Sequence, residues 1–109
     1  MDINEAIIKN FVESLRPKEL EIRKQLDCGY SYDGKEAIVF EIRPVWTNPD
    51  EIQHLEFAKL RFVKTRKHWE LYWQRASGKW QRYAPFPESA LLDELIEAIK
   101  DDSYGCFFG

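Results

Sequence analysis

The segment Ala58–Tyr83, AKLRFVKTRKHWELYWQRASGKWQRY, alternates in a way that decides the fold. Leu55 to Lys64 reads as a strand with Ala58, Leu60 and Phe62 on one face and Lys59, Arg61 and Val63 on the other. Trp69 to Arg75 reads as the next strand, with Trp69, Leu71 and Trp73 opposite Tyr72 and Gln74. A period of two residues is the signature of a sheet with one covered face. Joining these strands through Thr65–His68 sets Lys64 against Trp69, Phe62 against Leu71 and Leu60 against Trp73, apolar beside apolar. Slipping by one residue would place Phe62 against Glu70 and is rejected. A turn at Ser77-Gly78 starts a short strand around Trp80 to Tyr83. It pairs Trp73 with Arg82 and Arg75 with Trp80 on the core side, leaving Tyr72–Tyr83 and Gln74–Gln81 on the opposite face.

Upstream, Leu26, Cys28, Tyr30 and Tyr32 alternate up to Asp33-Gly34, a hairpin signal. A two-residue turn there pairs Tyr30 with Ala37 and Cys28 with Val39. The returning run Ala37–Ile42 is apolar on both faces, as in a central strand. Pro44 and Thr47-Asn48-Pro49-Asp50 read as a loop.

Asp2 with Glu5 three residues later resembles a capping box. Ile7, Ile8, Phe11, Val12 and Leu15 then give an amphipathic helix over residues 2–16, stopped by Pro17. A charged connection follows. A second helix over 88–101 carries the stripe Leu91, Leu92, Leu95, Ile96 and Ile99, opposite Asp93, Glu94, Glu97 and Lys100. The predicted architecture is therefore one α+β domain over 1–109. An antiparallel meander of about five strands within 25–84 is flanked by an N-terminal and a C-terminal helix, with an apolar tail over 104–109. The tail has two readings. Phe107 and Phe108 either dock on the domain or insert into a partner.

With 44% apolar and 32% charged residues, the 109-residue chain has the composition of a soluble globular domain. No apolar run approaches the ~20 residues that span a bilayer, so no membrane contact is expected. The acidic N-terminus lacks a signal-peptide pattern, and a cytoplasmic location is the expectation. Cys28 and Cys106 stand far apart and are expected as free thiols. His54 and His68 have no Cys or His at ligand spacing, so neither metal nor cofactor is expected. No nucleophile–base pair or phosphate loop is present in the pattern, and the chain is read as non-enzymatic.

The charge is uneven. Residues 59–83 hold eight cations against the single acid Glu70, whereas residues 1–58 and 84–109 are both net acidic within a total of −3. A cationic centre of this kind either attracts an anionic partner or is neutralised inside the fold. The candidate binding face is Lys59, Arg61, Tyr72, Gln74, Gln81 and Tyr83. Rings flanked by cations suit single-stranded nucleic acid, whose bases stack and whose phosphates pair. The plainer reading is a solvated sheet face, with Trp69, Trp73 and Trp80 as packing. A different class of function, protein interaction or homodimerisation, would use the apolar tail and the acidic second helix.

The segments LDCGYSYDG, EIRPVW, AKLRFVKTRKHWELYW, GKWQRYAPFPE and the ending DDSYGCFFG, in this order, resemble a small bacterial family termed domain of unknown function 3024. The resemblance runs from Leu26 to Gly109 and rests on Glu-Ile-Arg-Pro-x-Trp, Lys-Trp-x-x-Tyr and Cys-Phe-x-Gly. It implies a small bacterial cytoplasmic protein and brings no activity, cofactor or catalytic residue. It also directs attention to Glu41, Arg43, Trp46, Lys59, Arg75, Lys79 and Trp80, with Arg43 and Glu41 as a candidate partly buried ion pair. Where the family often carries His after the tryptophan of the Lys-Trp element, this chain has Gln81, which removes any role that His would have.

Overall fold

Asp2 starts the first helix as its cap: its Oδ1 accepts the Asn4 N–H at 2.8 Å. The reciprocal half of the expected capping box is not made. Glu5 instead accepts the Tyr30 hydroxyl at 3.1 Å, and Asp2 Oδ2 accepts that of Tyr32 at 2.7 Å. In the computed structural model, which describes residues 2–108, α1 (Ile3–Leu15) is thereby fastened to the neighbouring strand. A single turn, α2 (Leu20–Arg23), occupies what the sequence suggests is a plain connection. Six strands follow in an antiparallel sheet: β1 (Asp27–Tyr32), β2 (Glu36–Val45), β3 (Asn48–Val63), β4 (His68–Gln74), β5 (Trp80–Arg82) and β6 (Glu88–Ser89). The order is β1-β2-β3-β4-β5, and β6 pairs with β4 at Trp69↔Ser89 and Glu70↔Glu88. The last helix is α3 (Leu92–Asp101). The α+β meander with a helix at each end is as the periodicity predicts, with β6 added.

Both helices pack on one face. Ile8, Phe11 and Val12 of α1 meet Leu92, Leu95, Ile96 and Ile99 of α3 over Ala37, Val39, Leu60 and Leu71 of the sheet, all in one buried cluster. Cys28, Tyr30 and Tyr32 close the β1 side of this layer, and Trp73 its β4 side. Burial pushes the Cys28 thiol up to about 11, aided by Glu41 and Asp27, and also raises that of Cys106. Both thiols are free.

Three registers differ from expectation, with unequal consequences. The first hairpin pairs Tyr32 with Ala37 and Tyr30 with Val39. Asp33 Oδ1 accepts the Lys35 and Glu36 N–H groups at 2.9 and 2.7 Å, closing a longer turn than Asp33-Gly34 alone. Between β3 and β4, Phe62 pairs with Trp69, Leu60 with Leu71 and Ala58 with Trp73. Both shifts are by two residues and keep every side chain on its assigned face. The β4–β5 register shifts by one: Tyr72↔Arg82, Trp73↔Gln81 and Gln74↔Trp80. That turn spans Arg75–Lys79, held by Arg75 N–H to Lys79 O at 2.9 Å and Gly78 N–H to Arg75 O at 2.8 Å. Trp80 and Arg82 therefore leave the core side, and Gln81 and Tyr83 join it.

The expected loop around Pro44 and Pro49 is also absent. The strands β2 and β3 continue past the rest of the sheet as a two-stranded arm that turns at Trp46-Thr47. Proline is tolerated because β1 pairs β2 only as far as Ile42 and β4 pairs β3 only from Ala58, so each arm strand has an open edge. A bulge at Phe57, between the pairs Val39↔Ala58 and Phe40↔Glu56, turns that ring into the core at the root of the arm.

The tail docks. Phe107 is 6% exposed and its ring lies 4.9 Å from that of Tyr83, while Phe108 sits 5.2 Å from Phe57. Asp102, an unfavourable charge for a helix C-terminus, takes the left-handed cap position at φ 41°. Its carboxylate accepts the N–H groups of Phe107 and Phe108 at 3.0 and 2.9 Å. Phe107→Ala should therefore lower stability by about 3–5 kcal/mol, as for other buried phenylalanines. Chemical denaturation checks this; an unchanged midpoint would show that the tail does not hold the core.

Arg16 at the end of α1 grips Asp27 at the start of β1, with Nε–Oδ1 at 2.8 Å and Nη2–Oδ2 at 3.0 Å. The Arg16 guanidinium holds the Asp27 carboxyl below its ordinary value of 3.8. A depressed carboxyl stabilises the fold above that ordinary value and loses its contribution as pH falls through the lower folded value. Asp27→Asn should therefore be less stable than wild type at neutral pH, with the gap closing in acid below 3.8. Thermal melts across pH test this, and a gap independent of pH would refute the assignment.

Candidate functional site

Among the described residues, no helix covers the sheet face opposite α1 and α3. Alternation from the buried pairs Leu60↔Leu71 and Ala58↔Trp73 puts Lys59, Arg61, Glu70, Tyr72 and Gln74 there. The β4–β5 register adds Trp80 and Arg82. The Lys59 Nζ lies 4.6 Å from the centre of the Tyr72 ring and 5.1 Å from that of Trp80, one ammonium between two rings. Gln74 Nε2 donates to the Gly78 carbonyl at 3.2 Å and steadies the following turn.

Glu70 organises the cations beside these rings. Its side chain is only 10% exposed. It accepts the Tyr72 hydroxyl at 2.6 Å and Arg82 Nη1 at 3.0 Å. Burial and this bond to a carboxylate raise the Tyr72 phenol, so the hydroxyl remains a donor. The Arg82 guanidinium also lies 5.8 Å from the Tyr72 ring centre and donates through Nη2 to the Pro87 carbonyl at 3.2 Å. Glu88 of β6 pairs with Arg66 and lies 3.8 Å from Arg82. Arg82 Nε and His68 Nδ1 are enclosed without a protein partner. The basic segment is thus divided: Arg66 and Arg82 are neutralised by Glu88 and Glu70. Among the described residues, Lys59, Arg61, Lys64, Lys67, Arg75 and Lys79 have no carboxylate within 4.0 Å.

Of the six residues proposed from sequence, the structure brings together Lys59, Arg61, Tyr72 and Gln74 and separates the other two. Tyr83 is 3% exposed in the core against Phe107, and burial raises its phenol. Gln81 lies on the Trp73 side of β5. Trp80, assigned to the core from sequence, faces outward over Lys59. Arg82 and Glu70 are the members that sequence reasoning missed. Glu70 stood out only as the lone acid among the cations, and an acid on the Tyr72 face was the available signal.

The remaining candidates lie elsewhere. Arg75 and Lys79 are exposed in the β4–β5 turn. Arg43 pairs with Glu41 at 3.0 Å: Glu41, 28% exposed, lies between β1 and β3, and Arg43, 45% exposed, stands just beyond at the root of the arm, so the pair is buried only on the Glu41 side. Trp46 is 89% exposed at the arm's turn. No group of three or more potential metal ligands occurs among the described residues, and no helix there is long and apolar enough to cross a membrane.

No curated protein and no solved structure matches the chain significantly. A family model does, over residues 1–109, and the full span of the match includes the α1 segment that lay outside the motifs quoted above. The chain belongs to the family described as Domain of unknown function (DUF3024).

Proposed function

We propose that the β4–β5 half of the open face is a non-enzymatic binding surface for an anionic, stackable partner, in the first place single-stranded nucleic acid. The carrying observation is the position of Lys59 Nζ between the rings of Tyr72 and Trp80, on a face that no helix covers among the described residues. An exposed cation–π contact holds about 0.5–1 kcal/mol. Stacking a base on such a ring is worth about 1–3 kcal/mol, so a base can take the ring while Lys59 swings onto a phosphate. Arg61, exposed and without a carboxylate partner within 4.0 Å among the described residues, supplies the next phosphate contact. Glu70 keeps Arg82 and the Tyr72 hydroxyl in place, which presents the Tyr72 ring in one orientation.

Binding of a mixed-sequence single-stranded oligonucleotide, followed by fluorescence anisotropy over a range of salt, tests this. Tyr72→Ala and Trp80→Ala should each cost about 1–3 kcal/mol of binding. Arg61→Ala should weaken all sequences alike and flatten the logarithmic salt slope by about one unit. Tyr83→Phe, which alters a ring inside the core, should leave affinity unchanged. Negligible affinity at low salt, or indifference to Tyr72 and Trp80, would sink the proposal.

A further inference from the structure

Beyond β5 the chain turns before it enters β6, with Phe86 N–H donating to the Tyr83 carbonyl at 3.0 Å. A cavity of about 460 Å³ lies between this turn, α3 and the start of the tail. Tyr83, Pro85, Phe86 and Ala98 give it apolar walls. Its acids are Glu94, Glu97 and Asp101, which stand at i, i+3 and i+7 on α3 and so share one side of that helix. No Lys, Arg or His among the described residues lines it. The groove between the β1–β2 turn and the end of β3, by contrast, mixes Asp33 and Glu36 with Lys35, Arg61 and Lys64.

The three carboxylates are poorly compensated within the chain. Glu94 accepts the Ser89 hydroxyl at 2.5 Å, a neutral partner. Glu97 has Lys100 at 3.3 Å in an exposed pair, which holds little. Asp101 has no cation within 4.0 Å among the described residues, although it ends α3, where the helix dipole is already negative.

A second, independent feature of the cavity also calls for a ligand. Tyr83 is 3% exposed and its ring packs on Phe107, yet its hydroxyl makes no hydrogen bond to any described residue. Burial raises this phenol, and Cys106, Asp102, Tyr104 and Asp101 raise it further, which sets the hydroxyl at the acidic end of α3. A buried hydroxyl without a partner costs free energy until something bonds to it. Tyr104, 71% exposed at the rim, offers a ring face to a cation.

We propose that this cavity binds a linear aliphatic polyamine, one ammonium held by Asp101 and the Tyr83 hydroxyl and another by Glu94. Glu94 and Asp101 are seven residues apart, about 10 Å along the helix, so a single point charge cannot serve both. Ammonium groups separated by methylene spacers can, with the spacers laid on Pro85, Phe86 and Ala98. A metal ion is the poorer occupant, because these acids do not converge into a group of metal ligands. The volume suits a small molecule rather than a folded partner. The site is built on α3 and the tail, apart from Lys59, Tyr72 and Trp80, and goes beyond the nucleic-acid reading without depending on it.

Equilibrium dialysis of the intact chain against labelled spermidine, near neutral pH and at moderate salt, tests this. Spermidine should bind at a single saturable site, more tightly than the shorter putrescine and more tightly than magnesium. Tyr83→Phe, which keeps the ring in the core, should weaken binding about tenfold, as for a lost hydrogen bond to a charged group. Tyr104→Ala should weaken it about two- to fivefold. Asp101→Asn should also weaken it, whereas Asp50→Asn, which removes the same charge from the arm, should not. Circular dichroism should be unchanged in each variant. Binding that does not saturate, equal losses from Asp101→Asn and Asp50→Asn, or indifference to Tyr83→Phe would overturn the proposal and leave only a diffuse attraction of cations to an acidic helix. Tighter binding of trilysine than of spermidine would overturn it as well, and assign the cavity to a basic protein segment.

Discussion

The pairing of Leu60 with Leu71 beneath α1 and α3 is the contact on which the rest of the structure depends. Both side chains are fully buried on adjacent strands. A strand alternates without exception unless a bulge intervenes, so this pair fixes Lys59 and Tyr72 on the outer face, directly opposite each other. Arg61 and Glu70 follow two residues on. The polar network of the candidate site is in this sense the reverse side of the hydrophobic core. Moving Leu71 by one position would bury Tyr72 and expose the apolar rings together, which explains why the register is so strongly held.

That dependence also explains what was legible in the sequence. Periodicity identified the two long helices and five of the six strands, since each has an apolar stripe at its own spacing. The β1–β2 and β3–β4 registers differ from expectation by two residues, yet the faces are as expected because a side chain's face depends only on the parity of the shift. The β4–β5 turn contains the five residues Arg75–Lys79 between its paired ends, an odd number where an even one had been assumed. Parity reversed, and with it Trp80 and Tyr83 exchanged faces. A Ser-Gly dipeptide marks a turn well, but does not reveal how many residues the turn uses.

Proline caused the second misreading, for a related reason. Pro44 and Pro49 forbid a ladder bond on one side only. In a central strand that would end the pairing, whereas in an arm whose outer edges have no neighbour it costs nothing. Whether an edge is open depends on where β1 and β4 stop, which is a property of the whole sheet and invisible in the local sequence. Pro44 and Pro49 suit such edges, because a proline on an exposed strand discourages indiscriminate pairing along it. They leave the arm's faces free while blunting its edges.

A two-layer domain of this length has one covered sheet face and one bare face, and here the bare face is divided by composition. Toward β4 and β5, Arg82 is tied down by Glu70 and Lys59 stands over two rings, whereas Arg61 has no carboxylate within 4.0 Å among the described residues. Water can solvate that half without loss, and an anionic ligand would find charge and rings already arranged. Toward the arm, Ile38, Phe40, Ile42 and Ile52 offer water nothing to bond to. Burial of apolar surface returns about 25 cal/mol per Å², so a strip of several such side chains carries a driving force that solvation of its charged ends does not remove. The two halves therefore differ in what they could hold: on the proposed reading the charged half would select by electrostatics and stacking, whereas covering the apolar half would gain by exclusion of water. A single occupant spanning both would have to be apolar at one end and anionic at the other.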